Sequence, residues 1–340
     1  MLTENDRRKF ERLEKNLQMS YRFTRLQAIY LQNFPEIITE DLISSVCEAG
    51  LTKEEAAAAL MAQFFGLDTE GNADDRLLFR NYVMPSVRIL DANKYKNNPY
   101  YKGVNIPEEK IGDWELKKEV YEPYRAIACD DMQIYEDFRE IAPIGFFTEK
   151  FYFPAVLEGG NEWMTLTPVD LDTCEDAIEA ARGKVVTFGL GLGYYAYMAS
   201  LKNEVTSVTV IERSEKVIEL FKKFILPSFP FPEKIKIVNR DAFEYAKEEM
   251  PKEDFDLAFV DIWRDASDGA EAYRLMRPLE KFSPETKFLY WIEGFILSRL
   301  RSLKYAQITD AITDGNIKLT YQKIIDELTD KDKLIKTYIE

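Results

Sequence analysis

KVVTFGLGLGYYAYMASL, residues 184–201, and the VTSVTVIE that follows at 205–212 set a short apolar run, a glycine-rich turn, a helical pattern and a second apolar run in a row. KVVTF (184–188) has the length and β-branched content of a buried strand, YYAYMASL reads as a helix, and 205–212 reads as the next strand. The pattern then repeats outward. SEKVIELFKKFIL predicts a helix closed by Pro227, KIKIV (234–238) a strand, and AFEYAKEEM a helix closed by Pro251. FDLAFVD (255–261) and KFLYWI (287–292) complete the series as strands. Short links between alternating strands and helices predict a parallel sheet covered on both faces, with right-handed crossovers. The expected fold class is α/β, a doubly wound, mostly parallel Rossmann-like sheet.

The first strand runs into Gly189, Gly191 and Gly193, and a helix begins directly after them. Glycine permits a tight turn and lets a ligand approach the backbone more closely than any Cβ would allow. The helix start behind the turn offers unpaired N–H groups. Glu212, at the end of the second strand, is placed to accept both hydroxyls of an adenosine ribose. Two readings fit these residues. Gly191-x-Gly193-x-x-Ala196 with Glu212 satisfies a dinucleotide pattern, and Gly189-x-Gly191-x-Gly193 satisfies a methyltransferase pattern. Asp241 after the third strand and Asp261 at the end of the fourth favour the second, because a dinucleotide domain requires neither.

With these motifs in order, residues 183–263 resemble class I methyltransferases that use S-adenosyl-L-methionine, and most closely their spermidine-synthase-like branch. The resemblance implies that Gly189, Gly191 and Gly193 line the methionine part of that cosubstrate, Glu212 holds the ribose, and Asp241 with Ala242 holds the adenine. Asp261 would face the sulfonium or the acceptor. By position alone, Asp261 or the nearby Asp265 is the candidate catalytic residue, with Trp263 or Tyr194 walling the methyl pocket and Trp163 as a cover. Thr187 stands where the family usually carries an acid, which weakens contact to the cosubstrate amino group. Asp261-Ile-Trp-Arg-Asp265 replaces the Asp-Ser-Ser-Asp-Pro-like loop of the polyamine branch. Aminopropyl transfer is therefore the alternative, together with a non-catalytic nucleotide-binding or interaction protein on the same fold.

Upstream, residues 5–34 read as a helix ended by Pro35, Thr39 caps a second helix through Cys47, and Thr52 with Glu55 opens a third as a capping box. The last two have a helix-turn-helix outline, but the segment is acidic and reads better as packing or a lid. KYKNNPYYKGVNIPEEKIGD (94–113) reads as a surface loop, and its Asn98-Pro99-Tyr100 as a chance likeness to the tetrapeptide of amino-methylating enzymes. Residues 140–168 predict two or three antiparallel strands turning at Gly159-Gly160, and residues 171–182 a helix. The expected organisation is a mainly helical domain over 1–130, a short β region over 131–168, a cosubstrate-binding domain over 169–300 and a helical segment over 301–340. The family's closing antiparallel strand pair is not expected after residue 300. The acidic runs EDFRE, KEEMPKED and TDKDK read as solvated faces.

Composition narrows the chemistry. Among 340 residues, 45 Lys plus Arg stand against 60 Asp plus Glu, a net charge of −15, which makes nucleic acid an unfavourable partner. The absence of histidine removes Ser-His-Asp and Cys-His catalysis and imidazole metal sites. The three cysteines, Cys47, Cys129 and Cys174, have no metal-ligand spacing and read as buried thiols in a reducing compartment. No apolar run is long enough for a membrane span and the N-terminus lacks a signal-peptide core, so the expected location is cytoplasmic, with no membrane partner. Methyl transfer from a sulfonium expels a neutral thioether and needs little acid–base help, so it suits a chain without histidine. The expected acceptor is a small molecule, no metal is called for, and a homo-oligomer is compatible with the sequence.

Overall fold

The computed structural model describes residues 4–313 and 320–337. At its centre, five strands pair in parallel: the first at Gly183–Phe188, the second at Val205–Glu212, the third at Ile235–Asn239, the fourth at Leu257–Val260 and the fifth at Lys287–Tyr290. Their spatial order is third, second, first, fourth, fifth. This is a mixed α/β fold with an all-parallel sheet, consistent with a Rossmann-like arrangement. The first strand lies in the middle because its Val185–Phe188 part is buried on both faces: Val185, Val186 and Phe188 are fully buried, and so are Leu257–Val260 beside them. Such runs satisfy a strand covered on both faces. Strand order reverses between the first and fourth strands, where open parallel sheets form a crevice at their carboxyl ends.

The long helix Glu4–Asn33 and the helices Glu40–Cys47 and Lys53–Phe64 follow the sequence reading, with the Thr39 side-chain oxygen accepting Leu42 N–H and Thr52 with Glu55 closing a capping box. Ala56, Ala57, Ala58, Leu60 and Met61 are buried in a core shared with Phe23, Tyr82 and Phe146, so the helix-turn-helix outline is a packing unit. Residues 94–113 are not a surface loop. Helices Ala92–Lys96 and Pro99–Gly103 bury Tyr95 and Tyr100, because the tyrosines are spaced to face the same core as the parallel sheet. A four-stranded antiparallel sheet joins Glu109–Ile111, Trp114–Tyr121, Phe151–Glu158 and Asn161–Thr165. Its pairing crosses the boundary drawn at residue 130, so the N-terminal part is not only helical. Ile144–Phe147 belongs to a separate small sheet with Val87–Leu90 and Ala126–Ala128.

The helix expected at 171–182 is two short helices, Pro168–Thr173 and Glu175–Ala180, broken at Cys174. Beyond the fifth strand, Glu293–Thr313, Tyr321–Thr329 and Lys331–Leu334 are helical. Among the described residues the sheet ends at five strands. The parts of the 301–340 reading at 314–319 and 338–340 lie outside the described residues. Glu140, read as part of a solvated acidic run, is buried instead: its carboxylate pairs with the Arg301 guanidinium and accepts Ser298 Oγ at 2.5 Å. Arg301 also donates to Leu328 O at 3.0 Å. Asp131 accepts the N–H groups of Gly294 and Phe295 at 2.8 and 2.9 Å, where it holds the start of the Glu293–Thr313 helix. Among the described residues, no helix is long and apolar enough to cross a membrane.

Candidate functional site

The carboxyl ends of the first, second and fourth strands converge on the glycine turn. Gly189 N–H donates to Ile211 O and Asp261 N–H to Phe188 O, each at 2.8 Å, so these residues extend the sheet ladder to its edge. Gly189 has φ +96°, and a Cβ there would fall on the Asp261 carbonyl oxygen. Backbone packs against backbone at that point, which is why only glycine fits. Gly193 has φ +77° and lies against the Phe221 ring. Gly191 has φ +51°, and the space its missing Cβ leaves is taken by the Met164 thioether, the far end of a flexible side chain.

Glu212 faces the turn. One oxygen accepts Leu190 N–H at 3.2 Å and the other accepts Ser214 N–H at 2.7 Å. The carboxylate is half-buried and lies between the glycine turn and the start of the next helix. Asp241 accepts Phe243 and Glu244 N–H at 2.9 and 3.1 Å, so it serves as the N-cap of Ala242–Glu248, and Ala242 is buried beside it. Both residues sit past the third strand, on the side of the site where Glu212 lies.

Asp261 lines a narrow, partly open cavity of about 30 Å³ with Thr187, Gly189, Asp170, Cys174, Tyr194 and Trp291 among its walls. No hydrogen-bond partner contacts the Asp261 side chain among the described residues. Burial, and then the negative Asp170 nearby, push the Asp261 carboxyl up to about 8. Asp170 accepts Thr167 N–H and Oγ at 2.7 and 2.8 Å. Burial raises its carboxyl to about 6, against the lowering effect of these bonds. The Cys174 thiol is pushed up by burial as well. Behind Tyr194 lies a second cavity of about 440 Å³, whose walls include Lys94, Asn98, Asp172, Glu175 and Lys202. Tyr194 is common to both.

Asp265 is not brought to this site. It is exposed, and its carboxylate caps the Ala266–Met276 helix through Ser267 N–H and Oγ at 2.7 and 2.5 Å. Those bonds hold it below the usual carboxylate range. Trp263 does not line the cavity either. It is buried, stacks on Tyr290 with centroids 6.4 Å apart and leans on Gly269. Trp163 packs edge-on to Trp114 with centroids 5.3 Å apart, and the covering side chain is its neighbour Met164.

Sequence reading missed Asp170, Trp291 and Met164. Asp170 did carry a signal, the Thr-Pro-x-Asp spacing of a capping box, but that pattern announces a helix start and not a binding group. Asn98 and Tyr100, set aside as coincidence, are drawn to the turn. Asn98 Nδ2 donates to Tyr194 Oη at 3.0 Å, and Tyr100 Oη donates to Leu192 O at 2.5 Å.

No known protein family matches the sequence, and no curated protein matches it. Among solved structures, the chain is similar to the precorrin 8W decarboxylase of Methanobacterium thermoautotrophicum, with a TM-score of 0.29 and 19% identity over 37% of this chain. The match spans 63% of that protein's length.

Proposed function

We propose that the chain is an S-adenosyl-L-methionine-dependent methyltransferase acting on a small molecule, built on a doubly wound Rossmann-like unit of the class I type. The observation that carries this reading is the Glu212 carboxylate directed at the glycine turn, at the point where strand order reverses. There it can exchange its bonds to Leu190 and Ser214 N–H for ribose hydroxyls. Gly189 and Gly191 would lie against the amino-acid part, and Asp241 with Ala242 beside the base. When bound, the sulfonium supplies the methyl group. What the chain's own residues contribute is placement: Asp261 and Tyr194 face the inner cavity, and the 440 Å³ cavity behind Tyr194 has the size of a small acceptor's pocket.

The donor set fits the cosubstrate, but the space does not in this conformation. A cavity of about 30 Å³ cannot take an adenosyl group, so Met164 must swing away from Gly191 for it to enter. The same closure favours the rival reading, in which the fold persists as a non-catalytic module. Calorimetric titration separates the two. Micromolar binding of S-adenosylmethionine that weakens at least tenfold in Glu212→Ala supports the enzyme. No binding supports the module, and binding of NADH alone would revive a dehydrogenase. Preference for the decarboxylated cosubstrate would turn the assignment to aminopropyl transfer.

A further inference from the structure

The cavity of about 440 Å³ behind Tyr194 lies among the helices Ala92–Lys96, Glu175–Ala180 and Tyr194–Ser200, and its size is that of a small-molecule site. Leu171, Ile178, Met198 and the Tyr95 ring give it apolar walls. Both of its lysines are committed. Lys94 Nζ is bonded to Asp172 at 2.7 Å, and Lys202 Nζ to the Ile178 and Glu179 carbonyl oxygens at 2.9 and 2.6 Å, where it caps a helix end. Asp172 also accepts Tyr95 Oη at 2.7 Å. Glu175 and Glu179 are different. They stand one helical turn apart at the exposed rim, and among the described residues neither carboxylate has a hydrogen bond or an ion pair. The walls therefore offer spare negative charge and no spare positive charge.

A buried donor at the same cavity is also unused. Tyr194 is 8% exposed, and its hydroxyl oxygen accepts Asn98 Nδ2 at 3.0 Å, both residues being walls of the cavity. The Tyr194 O–H itself has no acceptor among the described residues, and a buried donor without one costs free energy that a ligand oxygen would recover.

We propose that this cavity binds a small organic cation with three features: an apolar body against Leu171, Ile178 and Met198, a cationic head at Glu175 and Glu179, and an oxygen that accepts the Tyr194 O–H. The inference deepens the function proposed above, for which it names the class of acceptor and on which it rests in that respect alone; binding itself needs no cosubstrate.

Isothermal titration with tyramine, 4-ethylphenol and 2-phenylethylamine tests it. Tyramine has all three features, 4-ethylphenol lacks the cation, and 2-phenylethylamine lacks the oxygen. Tyramine should bind at least fivefold tighter than either, and added salt should narrow its lead over 4-ethylphenol. Replacing both rim acids, Glu175→Gln with Glu179→Gln, should erase the preference over 4-ethylphenol, and Tyr194→Phe the preference over 2-phenylethylamine. The two glutamates are exposed and unbonded, so their replacement keeps the test valid if Tyr194→Phe disturbs the packing; melting curves establish the fold of each. The proposal is overturned if wild-type protein does not bind tyramine, if it binds all three probes equally, or if both preferences survive in the folded variants. Tyramine binding in a protein that does not bind S-adenosylmethionine sustains the site and counts against the methyltransferase reading alone. Cosubstrate binding without tyramine binding does the reverse.

Discussion

Replacing Met164 by alanine should tighten nucleoside binding while loosening the protein. Met164 lies on Asn161–Thr165, an outer strand of the antiparallel sheet, and its thioether occupies the hollow over Gly191. Alanine removes three heavy atoms. At about 0.8 kcal/mol for each buried methylene-sized group, full burial of all three would stabilise the closed state by about 2.4 kcal/mol. Met164 is only half-buried, so about 1 kcal/mol is the appropriate figure. A ligand that binds only the open arrangement has its apparent affinity reduced by the fraction of molecules that are open. Shifting that fraction by about 1 kcal/mol should tighten S-adenosylhomocysteine binding about fivefold. Isothermal titration of both proteins measures this directly, and a thermal melt of the unliganded variant should show a lower midpoint. Unchanged or weaker affinity in a folded Met164→Ala protein would refute the idea that this side chain stands in the ligand's place.

Two further outcomes test the neighbouring geometry. Gly189→Ala forces a Cβ onto the Asp261 carbonyl at φ +96° and should cost about 3 kcal/mol or more; a denaturant midpoint equal to wild type would show that the turn is looser than described. Asp261→Asn should change how stability depends on pH. The folded protein holds the Asp261 proton up to about 8, whereas the unfolded chain releases it near pH 4. Wild-type stability therefore falls as pH rises through that window, because there the native state binds more protons than the unfolded one. Each pH unit in the window is worth at most about 1.4 kcal/mol, and screening of the partly exposed acid pair brings the total to about 2 kcal/mol. The asparagine variant should thus gain stability over wild type between pH 5 and pH 9, and parallel stability curves would contradict the buried-acid description.

The parallel strands and their order of appearance were legible because each is an apolar run too short for a helix and bounded by glycine, proline or charge. The places of Glu212 at a strand end and of the three glycines in the turn were legible for the same reason, since strand ends and turns are local features. The inner cavity was not. Asp170, Met164 and Trp291 come from three separate segments, and only tertiary packing carries them to the turn. Asp265 misled because nearness in sequence to Asp261 was read as nearness in space. Its spacing to Asp268 is that of a capping box, and this local use of the carboxylate prevailed. Residues 94–113 misled in the other direction. Their Asn, Pro and Gly content marks turns, but three tyrosines within them, Tyr95, Tyr100 and Tyr101, and the capping Asn98 serve the core and the turn.

The clasp of Tyr100 on Leu192 and the burial of Glu140 with Arg301 make the nucleotide-type sheet a poor candidate for excision. A fragment beginning near residue 169 would lose the Glu140 partner of Arg301 and release the turn from its brace at Tyr100. Shuffling this sheet into another chimera would therefore need its upstream half carried along, so that the two halves are inherited together as one heritable module.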